Sequence, residues 1–350
     1  MSNTAPTFQQ DVSSIARKLE RANSIILTTH KQCDGDGLGA ILGLYHALKH
    51  TDKTVRVLLV DEIPAKYSFL DGEEYAEIFE GPHEPVKSTD MCLIFDTNDF
   101  RLVEPLWETL VKNCDEVLFV DHHPILSQGP LPTEGSYINT NAASTGEVAY
   151  YIIQEMGLPL DEASARALYT SIAFDTQLFR YVKSRPNSHL VAAELLKLEK
   201  NPEIIHKEIF STYTVGKMKF LSEALGDIEY HFNEKVAVLH IRDGQLKNYS
   251  LDIDDSRDVI DMIMNITSVE AAALFREDAP GEFKMSLRSK GKAEVISIAE
   301  EFGGGGHRFA AGAPTRGNYQ EIKNRVVELL IGQLKKTSPS ESKDSHTSIN

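Results

Sequence analysis

The sequence predicts an α/β protein. An N-terminal parallel-sheet domain with helices on both faces is followed by a helical linker and a smaller mixed α/β domain. Three observations carry this. Short apolar runs at 24–29, 55–60, 91–95 and 117–120 alternate with stretches of helical period, the pattern of βα alternation in a parallel sheet. From about residue 235 the period changes, with strands at 235–241, 269–275 and 282–288 set among short helices at 256–265 and 295–302. At 350 residues the chain is long enough to bury two cores.

In chain order, residues 1–8 read as frayed and 11–21 as a helix. The strand 24–29 delivers His30, and 37–50 reads as a helix with Leu38, Ile41, Leu42, Tyr45 and Leu48 on one face. Helices follow at 144–156 and 161–174, and another at 187–200 opens a helical connector reaching about Leu225. A closing helix spans 319–335, and the Ser-rich tail has the composition of a disordered segment. The boundaries expected are 1–187 for the first domain, 188–234 for the linker, 235–336 for the second domain and 337–350 for the tail, with an active site in the cleft between the domains.

Composition excludes several classes. Net charge is −16, which argues against long duplex nucleic acid as a partner, since such binders present basic faces to phosphates. The acid excess falls almost wholly before residue 236, leaving the C-terminal part nearly neutral and better suited to receive an anion. No apolar run is long enough to span a bilayer, and the N-terminus lacks the pattern of a secretory signal. Three cysteines without Cys-x-x-Cys spacing point to a reducing cytoplasm.

Four clusters carry the chemistry. His30, Asp34 and Asp36 lie on a glycine-rich turn after the first strand; Asp96 follows the run 91–95; Asp121-His122-His123 follows 117–120; Asp175 ends an apolar helix. Taken singly, each has a plain reading as a polar turn, a helix cap or a solvated imidazole. An acid at a helix C-terminus is disfavoured by the helix dipole unless a cation is near. Taken together, His30, Asp96 and Asp121 fall at carboxyl ends of parallel strands, which share one edge, where ligands bind in open α/β sheets. So many acids on one edge call for cations, and imidazole with carboxylate suits a divalent ion such as manganese.

These motifs, in this order, resemble motifs I to IV of the DHH phosphoesterase superfamily. Gly303-Gly304-Gly305-Gly306-His307, with Ala311-Gly312, resembles the signature of the DHH-associated C-terminal domain. The likeness covers about residues 10–335 and leans to the nanoRNase/pAp-phosphatase (NrnA-type) subgroup. It implies two Mn2+ ions, one held by His30, Asp34 and Asp96, the other by Asp36, Asp96, His122 and Asp175, with Asp96 bridging. It implies that His123 faces the substrate phosphate while Asp121 orients its neighbours. Two positions depart from the family pattern: Cys33 stands in place of proline and offers an oxidation point, and Gln177 stands where a small residue is common.

A two-metal centre activates water for in-line attack on phosphorus, and no Ser or Cys nucleophile is evident. In the second domain, Arg276, Arg288, Ser289, Lys290, Gly305, Gly306 and His307 are the candidate substrate contacts, because glycine-rich backbone and cationic side chains suit an anion. The expected partners are short single-stranded oligonucleotides or nucleotides, cleaved to mononucleotides from the 5′ end, with pAp an adjacent substrate and a homodimer implied by the resemblance. A cyclic-dinucleotide phosphodiesterase and a non-catalytic nucleotide sensor stay open. A pyrophosphatase is disfavoured by the His307 loop, and a long-strand exonuclease by the absence of a basic channel.

Overall fold

The computed structural model describes residues 11–81, 86–126, 129–211, 213–251, 253–256 and 259–337. The stretches read as a frayed start and, from 338, as a disordered tail lie outside these residues. The chain divides into two compact units, 1–212 and 213–350.

The first unit holds strands β1 (Ser24–Thr29), β2 (Thr54–Leu59), β3 (Ala76–Ile78), β4 (Thr89–Phe95), β5 (Cys114–Asp121) and β6 (Tyr137–Ile138). They form one sheet in the order β3-β2-β1-β4-β5-β6, every pairing parallel. Its helices are α1 (Val12–Arg21), α2 (Gly35–Leu48), α3 (Trp107–Asn113), α4 (Thr145–Glu155), α5 (Glu162–Asp175), α6 (Asn187–Leu195) and α7 (Pro202–Phe210). Strand residues alternate between two cores. Ile25, Leu27, Leu93, Phe95 and Leu118 pack with α1, α2, α4 and α5; Ile26, Cys92, Ile94, Val117 and Phe119 pack with Leu106, Trp107 and Leu110 beneath α3. Helices therefore cover both faces, as a parallel sheet requires.

Strand order reverses between β1 and β4, the position at which open α/β sheets leave a crevice at their carboxyl ends. The register aligns Thr29 with Phe95 and Phe95 with Val120. His30, Asp96 and Asp121 thus leave three adjacent strands at nearly one level.

The second unit holds α8 (Val215–Ala224), β7 (Glu229–His231), β8 (Val236–Ile241), α9 (Val259–Ile263), β9 (Ala271–Ala279), β10 (Glu282–Ser289), α10 (Val295–Glu301), β11 (Gly305–His307), β12 (Ala310–Arg316) and α11 (Tyr319–Thr337). Its mixed sheet runs β11-β12-β10-β9-β8-β7, with β8 and β9 parallel and the other pairs antiparallel. The glycine run, a loop by its composition, forms an edge strand over Gly305–His307 against β12. Glycine permits this closeness: a Cβ on Gly304 would lie 2.0 Å from the Gly312 carbonyl oxygen. Thr337, assigned to the tail, closes α11. Among the described residues no helix is long and apolar enough to cross a membrane.

In the first unit α2 and α5 pack at glycine distance, and these two helices carry Asp36 and Asp175. A Cβ on Gly39 would sit 2.4 Å from the Ala167 carbonyl oxygen and 2.9 Å from Ser171 Cβ. Alanine is the better helix former, yet overpacking costs about 1–3 kcal/mol, so packing decides the sign. Gly39→Ala is expected to lower the urea midpoint with the m-value unchanged; a midpoint equal to or above the parent's would refute this close-approach role.

Candidate metal centre

The four clusters converge on the carboxyl edge of the parallel sheet. Asp34 caps α2, its Oδ1 accepting from the N–H groups of Asp36 and Gly37. Asp36, in the first turn of that helix, is buried against the start of α4. Its carboxylate accepts from Thr145 N–H at 2.9 Å and Gly146 N–H at 3.2 Å, and from the Ser171 hydroxyl. A helix N-terminus is the natural seat for a buried acid, since its first N–H groups lack partners within the helix.

Asp96 follows β4 in a left-handed conformation, φ 61°, with its N–H donated to the Val120 carbonyl. Its two oxygens face different ways. Oδ2 lies 3.4 Å from His30 Nε2, while Oδ1 lies 3.6 Å from both His122 Nε2 and His123 Nδ1. Helix capping falls to Asp99 instead, which accepts from Arg101 N–H.

The imidazoles are oriented from behind. His30 Nδ1 donates to the Lys31 carbonyl at 2.8 Å, and His122 Nδ1 to the Ala142 carbonyl at 3.3 Å. Each bond fixes the tautomer that leaves Nε2 able to act as a ligand. His122 Nε2 then faces Asp36 Oδ2 at 3.2 Å and Asp175 Oδ2 at 3.6 Å. Asp121 is fully buried and accepts from Asn98 Nδ2, from the backbone of His122 and His123, and from His123 Nδ1.

Ligand atoms of His30, Asp34 and Asp96 lie within 4.8 Å of one another, as do those of Asp36, His122 and Asp175, and those of Asp96, Asp121, His122 and His123. Carboxylate oxygens with imidazole nitrogens and no thiolate make a donor set for a divalent ion of Mn2+ or Mg2+ character.

Electrostatics show how the bare cluster balances itself. Burial disfavours charge on His30, but the hydrogen bond to Asp96 and the charge of Asp34 overcome it and push the imidazole up to about 10. His122 is raised too, burial being outweighed by Asp175, Asp36 and Asp96. Burial, with the charges of Asp36 and Asp96, raises Asp175 to about 7 against the pull of His122. Asp96 is held well below the usual carboxylate range, its burial outweighed by His122 and His30. Protons here occupy the place of cations.

The candidate contacts of the second unit have partners inside that unit. Arg276 binds Asp278 and the Ser256 hydroxyl; Arg288 binds Asp261. Lys290 donates to the Ile266 carbonyl, and Ser289 Oγ accepts from Gly291 and Ala293 N–H. Gly305, Gly306 and His307 lie on the edge strand β11. Cys33 is buried, and burial pushes its thiol up to about 12. That makes it a poor nucleophile rather than the oxidation point its exposure would have allowed. Gln177 takes φ 47°, a conformation a glycine there would adopt without cost.

Sequence reasoning missed Asn98, Thr145 and Ser171. Asn98 joins Asp121 to the His123 carbonyl; the Thr145 hydroxyl binds Asp96 Oδ1; Ser171 binds Asp36. The only signal was weak: small polar residues at the starts or inner faces of elements flanking the acids.

Residues 24–172 match the family model described as DHH family, N-terminal domain, and residues 233–336 match the DHHA1 domain. The bifunctional oligoribonuclease and PAP phosphatase NrnA of Thermus thermophilus is 27% identical over 94% of this chain and 96% of its own. The probable bifunctional oligoribonuclease and PAP phosphatase NrnA of Streptococcus mutans is 25% identical over 89% of this chain and 97% of its own. A crystal structure of an exopolyphosphatase-related protein from Bacteroides fragilis shares the fold, with a TM-score of 0.80, 23% identity, and coverage of 93% of this chain and 95% of that one.

Two predictions follow from the geometry. Asn98→Ala leaves Asp121 Oδ2 without its amide donor, and loss of such an outer partner typically costs about 10–100-fold in metal affinity or activity. A Mn2+ titration of the folded variant matching the parent's would contradict this. Because His30 and, below about pH 7, Asp175 hold protons in the bare cluster, a divalent ion must displace them. Mn2+ affinity is therefore expected to rise with pH from 6 to 8. Calorimetry in buffers of different ionisation enthalpy should register proton release, and heats independent of buffer would be the contrary result.

Proposed function

Because the chain belongs to the DHH family and carries a DHHA1 domain, we propose that it is a manganese-dependent phosphoesterase. It hydrolyses short oligoribonucleotides to mononucleotides from the 5′ end and removes the 3′-phosphate of pAp. The observation that carries this reading is the position of Asp96, which belongs to the group of His30 and Asp34 and whose Oδ1 lies 3.6 Å from His122 of the group with Asp36 and Asp175, with His123 beside it. The NrnA-type relatives, named for oligoribonuclease and PAP phosphatase action, support the substrate class.

When bound, two divalent ions would supply an activated water and charge stabilisation for in-line displacement at phosphorus. The chain supplies the rest. His30, Asp34 and Asp96 form one seat, and Asp36, His122 and Asp175, with Asp96 shared, form the other. His123 is anchored through Nδ1 on Asp121 at 2.9 Å, so any proton it gives a phosphoryl oxygen comes from Nε2. Its imidazole is raised, burial being outweighed by Asp121, which favours the donor form as negative charge develops.

The test is a product assay with Mn2+ across pAp, 5′-labelled diribonucleotides, cyclic dinucleotides and longer oligomers. Mononucleotide from the diribonucleotides and AMP from pAp are expected, with Asp96→Asn lowering turnover by a thousandfold or more, roughly 4 kcal/mol of barrier. No release of mononucleotide from any diribonucleotide would overturn the reading; turnover of the cyclic substrates alone would move the protein to the cyclic-dinucleotide class.

A further inference from the structure

The sequence motifs leave out one cation that the fold brings to the metal centre. Lys183 lies on the segment after α5, and its Nζ reaches the Thr140 carbonyl at 3.2 Å and comes within 3.5 Å of His122 Nδ1. The carboxylates of Asp175, Asp36 and Asp121 are among the charges acting on it. We propose that Lys183 is a substrate contact of this site, its ammonium binding a non-bridging oxygen of the phosphoryl group under attack.

Three physical points support this. The first is hydrogen-bond accounting. His122 Nδ1 gives its proton to the Ala142 carbonyl, so it does not accept from Lys183, and their approach brings together two donors. Of the three N–H groups an ammonium offers, the Thr140 carbonyl takes one.

The second is backbone conformation. Lys183 and Ser184 have φ 48° and 57°, a region that is costly for non-glycine residues and persists only when the surroundings enforce it. The turn leading there is well tied. Leu178 N–H donates to the Ala173 carbonyl, Phe179 N–H to Thr176 Oγ1, and Tyr181 N–H to the Thr176 carbonyl. The same turn fixes Asp175 and returns Lys183 to the cluster.

The third is charge. Two divalent ions and a protonated His123 do no more than balance Asp34, Asp36, Asp96, Asp121 and Asp175. A phosphodiester brings a further negative charge, which grows in the transition state. A lysine ammonium beside the cluster would supply the countercharge.

The inference rests on the phosphoesterase reading, and its test separates the two. In full-length protein at saturating Mn2+, Lys183→Gln is expected to weaken AMP binding by calorimetry and to lower kcat/KM for a diribonucleotide, each by about 10–100-fold, the range for one charge-assisted hydrogen bond. Lys183→Arg should keep most of both. Mn2+ stoichiometry should be unchanged, its affinity equal or tighter because a repelling charge is gone. If Lys183 serves only to neutralise the empty cluster, Lys183→Gln tightens Mn2+ while AMP binding and kcat/KM stay at parent values, and the inference is overturned. Lys183→Met gives the same comparison should the glutamine variant not fold. If the parent cleaves no phosphoester, the functional reading fails, and the AMP arm still decides whether Lys183 binds phosphate.

Discussion

The candidate metal centre is arranged around the carboxylate of Asp96. It is buried at the end of the strand beside the switch point, and its two oxygens serve opposite halves of the site, His30 on one side and His122 with His123 on the other. The backbone pays for this with a left-handed turn at a residue bearing a side chain. Aspartate is among the few residue types that visit this region at modest cost. Glycine would relieve the strain and remove the carboxylate, so the conformation is retained for the chemistry and not for the chain's convenience. Thr145 steadies Oδ1, and Gly37 makes room: a Cβ there would meet Thr29 Oγ1 at 2.1 Å and Asp96 Cβ at 3.3 Å.

Such crowding of acids is tolerable only with countercharge, and the fold provides it in layers. The start of α4 supplies N–H groups and the positive end of a helix dipole to Asp36, an effect of order 1 kcal/mol and up to ~2 kcal/mol when partly buried. That is small against the cost of burying an unpaired carboxylate. The larger share falls to the imidazoles, which hold protons more tightly than they would in water. A site that favours protons in this way carries an excess of negative charge of the kind that bound cations would offset.

Strands β1, β2, β4 and β5 and the candidate metal-ligand side chains at their ends were legible because both rest on local signals, whereas the short edge strands β3 and β6 carry too few residues to show a pattern. An apolar run ending in an acid or imidazole marks the carboxyl end of a buried strand, and three such endings, at His30, Asp96 and Asp121, could be placed on one edge without knowing the strand order. What was not legible depends on contacts between distant segments. Asn98 is bound to Asp121 across neighbouring strand ends, and Ser171 reaches Asp36 from another helix; nothing in the local sequence distinguishes them from other small polar residues. Lys183 was hidden for the same reason, since its place depends on left-handed turns that lysine does not announce. In the second unit, β11 and β12 escaped because a glycine run and a Gly-Ala-Pro stretch carry no strand pattern. Their pairing comes from backbone closeness rather than side-chain alternation.

The triplet Asp121-His122-His123 shows how three adjacent residues can serve one centre. Neighbouring side chains on a strand point to opposite faces, so an extended triplet would send the two imidazoles apart. Asp121 prevents this by turning the chain as β5 ends. Its Oδ1 accepts from the backbone N–H of both following residues, the local turn that aspartate side chains favour. The rings then stand edge to face, centroids 4.6 Å apart, both near Asp96 Oδ1. His122 is tied through Nδ1 to a backbone carbonyl and His123 through Nδ1 to Asp121 itself. The different partners behind the two rings set them apart: a neutral carbonyl lies behind His122, which suits a ligand nitrogen, and a carboxylate lies behind His123 and favours the protonated ring.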